Sequence, residues 1–179
     1  MIETFDAMLA EEGRKNSLGR VNEVIDDVLA DPSRLEELYM TMFNNDAWVR
    51  MRAADAFEKV CRVNPEWVKT YVDRIQSELS SSTQASIQWH IAQIYAQVDL
   101  NARQKKLAIL WLTDLLHSTD VDWIVASNAM ETLAAFTRNG EFPIGEMLAL
   151  AKMQQNHKSN AVVKRANKLY AELTSLTET

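Results

Sequence analysis

The 179-residue chain is predicted to be all-α, an α–α superhelix of about five helical hairpins and roughly ten helices. Three observations predict it. Four glycines and three prolines leave little of the punctuation that an all-β fold needs, and strong helix formers fill the intervals between them. Apolar residues recur at 0, +4 and +8 in four separate segments, which places them one turn apart on one helical stripe. The segments themselves recur at a nearly constant spacing, the mark of a solenoid.

The N-terminal part reads as an irregular pair, with one helix over Ile2–Glu12 ended by Gly13 and another over Ser17–Ala30 carrying Val21, Ile25 and Leu29. Pro32, after Asp31, opens a helix through Leu35, Leu38, Tyr39 and Phe43. The four aligned segments follow: Val49/Ala53/Phe57, Ile87/Ile91/Tyr95, Val125/Ala129/Leu133 and Val162/Ala166/Tyr170, with anchors 38, 38 and 37 residues apart. Asp46 and Asp122 stand three residues before their anchors, Ser159 holds the same place in the fourth segment, and Gln84 after Thr83 in the second. Such side chains accept from orphan N–H groups of a first turn, so each segment is expected to restart a helix at the same phase.

Partner helices lie between them. One begins after Pro65 and carries Val68, Tyr71, Val72, Ile75 and Leu79; the next carries Leu107, Leu110, Trp111 and Leu115; the last, opened by Pro143, carries Ile144, Met147, Leu148 and Ala151. Proline is tolerated in such first-turn positions. The chain is thus read as one domain over 1–179, with a cap pair at 1–30 and repeats at 31–63, 64–99, 100–140 and 141–179. A shortened terminal pair suits a stack whose outer face meets water.

Trp48-Val49-Arg50-Met51-Arg52-Ala53-Ala54-Asp55-Ala56-Phe57 resembles the second helix of a HEAT repeat, in the HEAT-like and armadillo-like family of helical repeats. The resemblance covers 31–175 and implies an α-solenoid without catalytic residues. In the later segments the Val-Arg pair becomes Ile87-Gln88, Val125-Ala126 and Val162-Val163, away from the Asp–Arg ladder of regular members.

Charge and composition narrow the function. Net charge is −6, which disfavours nucleic acid, since non-specific binding draws on Lys and Arg. Residues 1–46 hold eleven acidic and four basic side chains, whereas 147–171 hold five basic and no acidic ones. A single cysteine excludes an internal disulfide framework and, with an acidic N-terminus unlike a signal peptide and no long apolar run, points to the cytoplasm and away from membranes.

No motif carries chemistry. His90, His117 and His157 lack the i, i+3 or i+4 spacing of a helix-borne metal pair, and read as surface or helix-end residues. Cys61 reads as a packed residue, Asp120 and Asp122 as loop and cap, and the five tryptophans mainly as core filling. No phosphate loop or nucleophile elbow is present, and no cofactor or metal is expected.

The expected function is a non-catalytic protein–protein interaction module that holds a protein or peptide on the concave surface of its second helices. The residues expected there, on phase, are Arg50, Arg52, Gln88, His90, Asn128 and Arg165. The alternative is a DNA glycosylase-like protein with a basic groove of Arg50, Arg52, Arg62, Lys164, Arg165 and Lys168. Self-association is a separate expectation, either head-to-tail between the acidic first pair and the basic last pair or as a homodimer through an open end of the solenoid.

Overall fold

Four long helices begin at Ala47, Ala85, Trp123 and Asn160, each two residues before its apolar anchor. The phase predicted from spacing is therefore the phase at which the chain folds. The computed structural model describes residues 3–11 and 17–177. Among these it is all-helical, with α1 (Phe5–Ala10), α2 (Val21–Ala30), α3 (Leu35–Thr41), α4 (Ala47–Val63), α5 (Pro65–Lys69), α6 (Val72–Arg74), α7 (Ala85–Gln97), α8 (Ala102–Leu116), α9 (Trp123–Arg138), α10 (Ile144–Gln154) and α11 (Asn160–Thr177).

The second helices stack in series: α2 on α4, α4 on α7, α7 on α9 and α9 on α11. First helices flank them, α3 against α4, α8 against α9 and α10 against α11. The aligned apolar positions form the seam. Val49, Ala53, Phe57, Ile87, Ile91, Tyr95, Val125, Ala129, Leu133, Val162 and Ala166 are all buried, and Tyr170 is half-buried. Burying side chains of this size contributes about 1.5–3 kcal/mol each for the larger ones, which makes this seam the main source of cohesion.

Local chemistry sets the ends. Asp46 and Asp122 cap α4 and α9 by accepting from Trp48 N and Ile124 N at 2.7 and 2.9 Å. Gln84, expected to share that role, makes no side-chain cap on α7; Ser82 Oγ accepts from its N–H instead. At the end of α9, Gly140 takes φ +73, which lets Glu141 N and Gly140 N reach the carbonyls of Phe136 and Thr137.

Several expected elements differ. The helix through 65–79 is broken: Thr70 Oγ1 donates to Trp67 O, and the segment Ile75–Leu79 widens into a π turn where Ser77 and Ser80 bond back to carbonyls one turn earlier. Hydroxyls competing for helix carbonyls account for both irregularities. The helix expected over Ser17–Ala30 starts only at Val21, after a turn with Gly19 at φ +53, and it buries Val21, Val24 and Val28 with Ile25 and Leu29 half-covered. Pro143 is the residue before α10, not its first residue. Gly13 and the end of the first expected helix lie outside the described residues.

In α8 the stripe goes in on the other phase. Ala108, Leu112 and Leu116 are buried, while Leu107 and Leu110 are exposed and Trp111 and Leu115 half-buried. The helix is apolar nearly all round, so its periodicity did not choose between two stripes. The buried stripe lies on a helix that packs against α9.

An aromatic knot ties the repeat at 31–63 to the one at 64–99. Tyr39, Phe57 and Tyr71 pack with ring centroids 5.1–5.7 Å apart, and Arg74 lies 4.2 Å over the Tyr39 ring. The buried Tyr39 hydroxyl donates to Glu78 at 2.9 Å.

Candidate functional site

Four of the six residues expected to meet a partner share one register, three after each anchor: Arg52, His90, Asn128 and Arg165. The structure turns Arg52, Asn128 and Arg165 toward the preceding repeat. Arg52 Nη1 donates to Leu9 O at 2.6 Å and Glu11 O at 3.3 Å, and its Nε to Ser17 O at 3.0 Å. These carbonyls lie at the end of α1 and in the turn before α2, groups that a helix terminus leaves without partners. Asn128 Oδ1 accepts from Gln93 of α7 at 3.0 Å, and Arg165 is ion-paired with Glu131 of α9. His90 is hydrogen-bonded to Gln93 of its own helix at 3.1 Å and feels the charges of Asp55 and Glu58 on α4.

Their partners share a register too. Asp55, Gln93 and Glu131 each stand six after an anchor. A ladder thus runs along the second helices, from position six of one repeat to position three of the next. The sequence held the signal in its phase, but the residue types of the two rungs (Gln–Asn, Glu–Arg) differ, and only the structure joins them.

This corrects the expectation that these six positions are exposed. Arg52 and His90 are buried. Arg50 is half-buried and donates to Gln84 Oε1, Asn44 O and Asn45 O. Gln88 donates to Ser82 O and Asn128 also to Ile124 O, both half-buried. Arg165 alone of the six is exposed.

The basic groove does not assemble. Arg52 and Arg50 are engaged with carbonyls, Arg62 pairs with Glu58 at 2.6 Å, and α7 and α9 separate α4 from Lys164, Arg165 and Lys168 on α11. Glu58 itself, unremarked in the sequence, is fully buried, and its Oε1 also accepts from Gln97.

The other groups with chemical potential are structural. Burial pushes the Cys61 thiol up to about 12, with Glu58 adding to the shift, so no thiolate forms near neutrality. Burial lowers His90 to about 4, against the opposing pull of Asp55 and Glu58, and keeps the ring neutral. His157, expected near the surface, is buried and uses both nitrogens: Nε2 donates to Val121 O at 2.8 Å while Nδ1 accepts from Ser159 N at 2.9 Å. Gln154, fully buried, donates to Leu116 O and Ser118 O and so closes the end of α8. Among the described residues no group of three His, Cys, Asp or Glu side chains has the arrangement to hold a metal ion. Among them also, no helix is long and apolar enough to cross a membrane.

What remains open on the second helices is aromatic. Trp48, Trp89 and Trp123 stand one before, two after and two before their anchors. At about 100° per residue they fall within roughly 100° of one another, opposite the buried stripe. Trp48 is 40% exposed and Trp123 51%, with Trp89 half-buried between them on α7.

The family model described as HEAT repeat domain matches residues 5–110, more than half of the chain. The protein belongs to the HEAT repeat family. The match begins inside α1, so the irregular first pair is part of the HEAT pattern, and it stops within α8 although the HEAT spacing continues through α11. Comparison with curated proteins gave no match, and comparison with solved structures gave none either. The HEAT architecture is that of a protein-interaction scaffold.

Proposed function

We propose that this HEAT protein is a non-catalytic binding module whose partner, a helix or peptide, lies on the concave side of the second helices with Trp48, Trp89 and Trp123 as its anchors. The exposed tryptophan row carries the reading. Tryptophan is a typical hot-spot residue, because it removes a large apolar area from water at little entropic cost. Two exposed tryptophans on one side of a stacked face are more than scattered surface hydrophobics.

Gln88, Asn128 and Arg165 border this row in the proposal, while Arg50 and Arg52 act beneath it by tying neighbouring repeats together. A reducing, cytoplasmic setting belongs to the same proposal, on the strength of the single buried thiol.

Affinity capture with the wild-type chain and with Trp48→Ala/Trp123→Ala tests it. A partner retained by the wild type and lost by the double variant is expected, with thermal unfolding nearly unchanged because both rings are exposed. Recovery of the same partner by the variant would remove the tryptophan row from the reading.

A further inference from the structure

Among the described residues, the two ends of the stack carry opposite surplus charge. At the first pair, Glu3, Glu11 and Glu23 converge on one guanidinium, that of Arg20, at 2.9–3.0 Å. Three carboxylates on one cation leave a surplus of negative charge, and the exposed Asp26, one turn along α2 from Glu23, adds to it. All three carboxylates are open to solvent, with side chains 45–58% exposed.

At the last pair the imbalance reverses. Lys164 and Lys168 are exposed one turn apart on α11, and with Ala161 and Arg165 they line a shallow concavity. Neither forms an ion pair among the described residues. The acid that feels Lys168, Glu172, is already held by Arg138 at 2.8 Å. Lys168 also occupies the sixth register position, which in α4, α7 and α9 carries Asp55, Gln93 and Glu131. There Glu131 accepts from Arg165 of the following repeat and Gln93 donates to Asn128; on α11 the same position is a cation facing solvent. The last repeat thus offers a cation where its predecessors carry an acid or an amide.

We propose that the α11 end docks the acidic first pair of a second copy, head to tail, with Lys164 and Lys168 against Glu3, Glu11, Glu23 and Asp26. The inference is independent of the tryptophan row. Such a contact is heterologous, so it adds further copies in a chain instead of closing into a two-fold dimer. Leu176 at 54% exposure on α11 and Leu18 at 40% beside Arg20 supply apolar surface at either end.

Sedimentation of the full chain over a concentration series, in about 20 mM and about 500 mM salt, tests it, because screening weakens contacts between exposed charges. The mean size is expected to grow with concentration in low salt and to fall to the monomer in high salt. Lys164→Glu/Lys168→Glu and Glu23→Lys/Asp26→Lys are each expected to stay monomeric alone, and to associate when mixed, since each then offers the charge that the other lacks. Circular dichroism checks that both fold. A wild type monomeric in both salts overturns the proposal, as does association indifferent to salt or to Lys164→Glu/Lys168→Glu. A wild type that stays monomeric but retards a DNA duplex in low salt overturns it in favour of phosphate as the acid recognised.

Discussion

Gln93 of α7 donates its amide to Asn128 of α9 at 3.0 Å, and both residues stand where the repeat register puts the facing positions of neighbouring second helices. The same two positions join Glu131 to Arg165. The apolar seam supplies most of the cohesion between repeats, but it is non-directional. The rungs are directional, and they select the register in which one helix slides against the next.

A double-mutant cycle on Gln93→Ala and Asn128→Ala is expected to give a coupling of about 0.5–1.5 kcal/mol, in the range of a half-buried neutral hydrogen bond. The same cycle on Glu131 and Arg165, whose side chains are 41–45% exposed, should give about 0.2–1 kcal/mol and shrink as salt rises. Urea unfolding of the four single and two double variants measures both.

Arg52→Ala should release the first pair. Its guanidinium reaches Leu9 O, Glu11 O and Ser17 O from a buried position, and truncation leaves those carbonyls facing a void. A loss of about 3 kcal/mol is expected from charge-assisted bonds of this kind. Arg52→Lys should rescue little of it, because an ammonium cannot span three acceptors as a planar fork does. Hydrogen exchange would show faster exchange in α1 and α2, with α9 and α11 unaffected.

These rungs show how far the sequence could be read. Stack, spacing and helix starts followed from apolar periodicity, because the seam repeats the same residue class at 0, +4 and +8. The function of the third register position was not legible for a physical reason. Arg and His have long side chains whose heads go wherever a counter-group waits, and the groups waiting for Arg52 are backbone carbonyls some 40 positions earlier, with no sequence signature. The phase of α8 was lost differently, in a helix apolar on both stripes. The tryptophan row lay in the sequence as three residues at unequal offsets, and only conversion of those offsets into angles brings them to one side.

Acid should loosen the stack at His90. Burial lowers its pKa from 6.5 to about 4, so the folded state resists a proton that the unfolded chain accepts. Asp55 and Glu58 pull the other way and Arg62 adds to the lowering, yet burial prevails. A depressed folded pKa gives stability that is present above the unfolded value and is lost as the pH falls from 6.5 toward 4. The loss amounts to about 3 kcal/mol across that window. In His90→Gln that component of the slope should vanish. Unfolding free energies at intervals between pH 7.5 and 4.5 for both proteins check it.

Cys61 should be inert in the folded chain. Its thiol is fully buried on α4, and burial holds it up at about 12, where almost none is thiolate at neutral pH. A disulfide reagent should therefore modify it only as fast as the stack opens, so that its rate rises steeply with urea and tracks global unfolding. Cys61→Ala should cost little beyond the lost packing, whereas Cys61→Ser puts a hydroxyl in the same site for about 1–3 kcal/mol. Rapid labelling in the absence of denaturant would mean that α4 opens locally, which its position between α2 and α7 argues against.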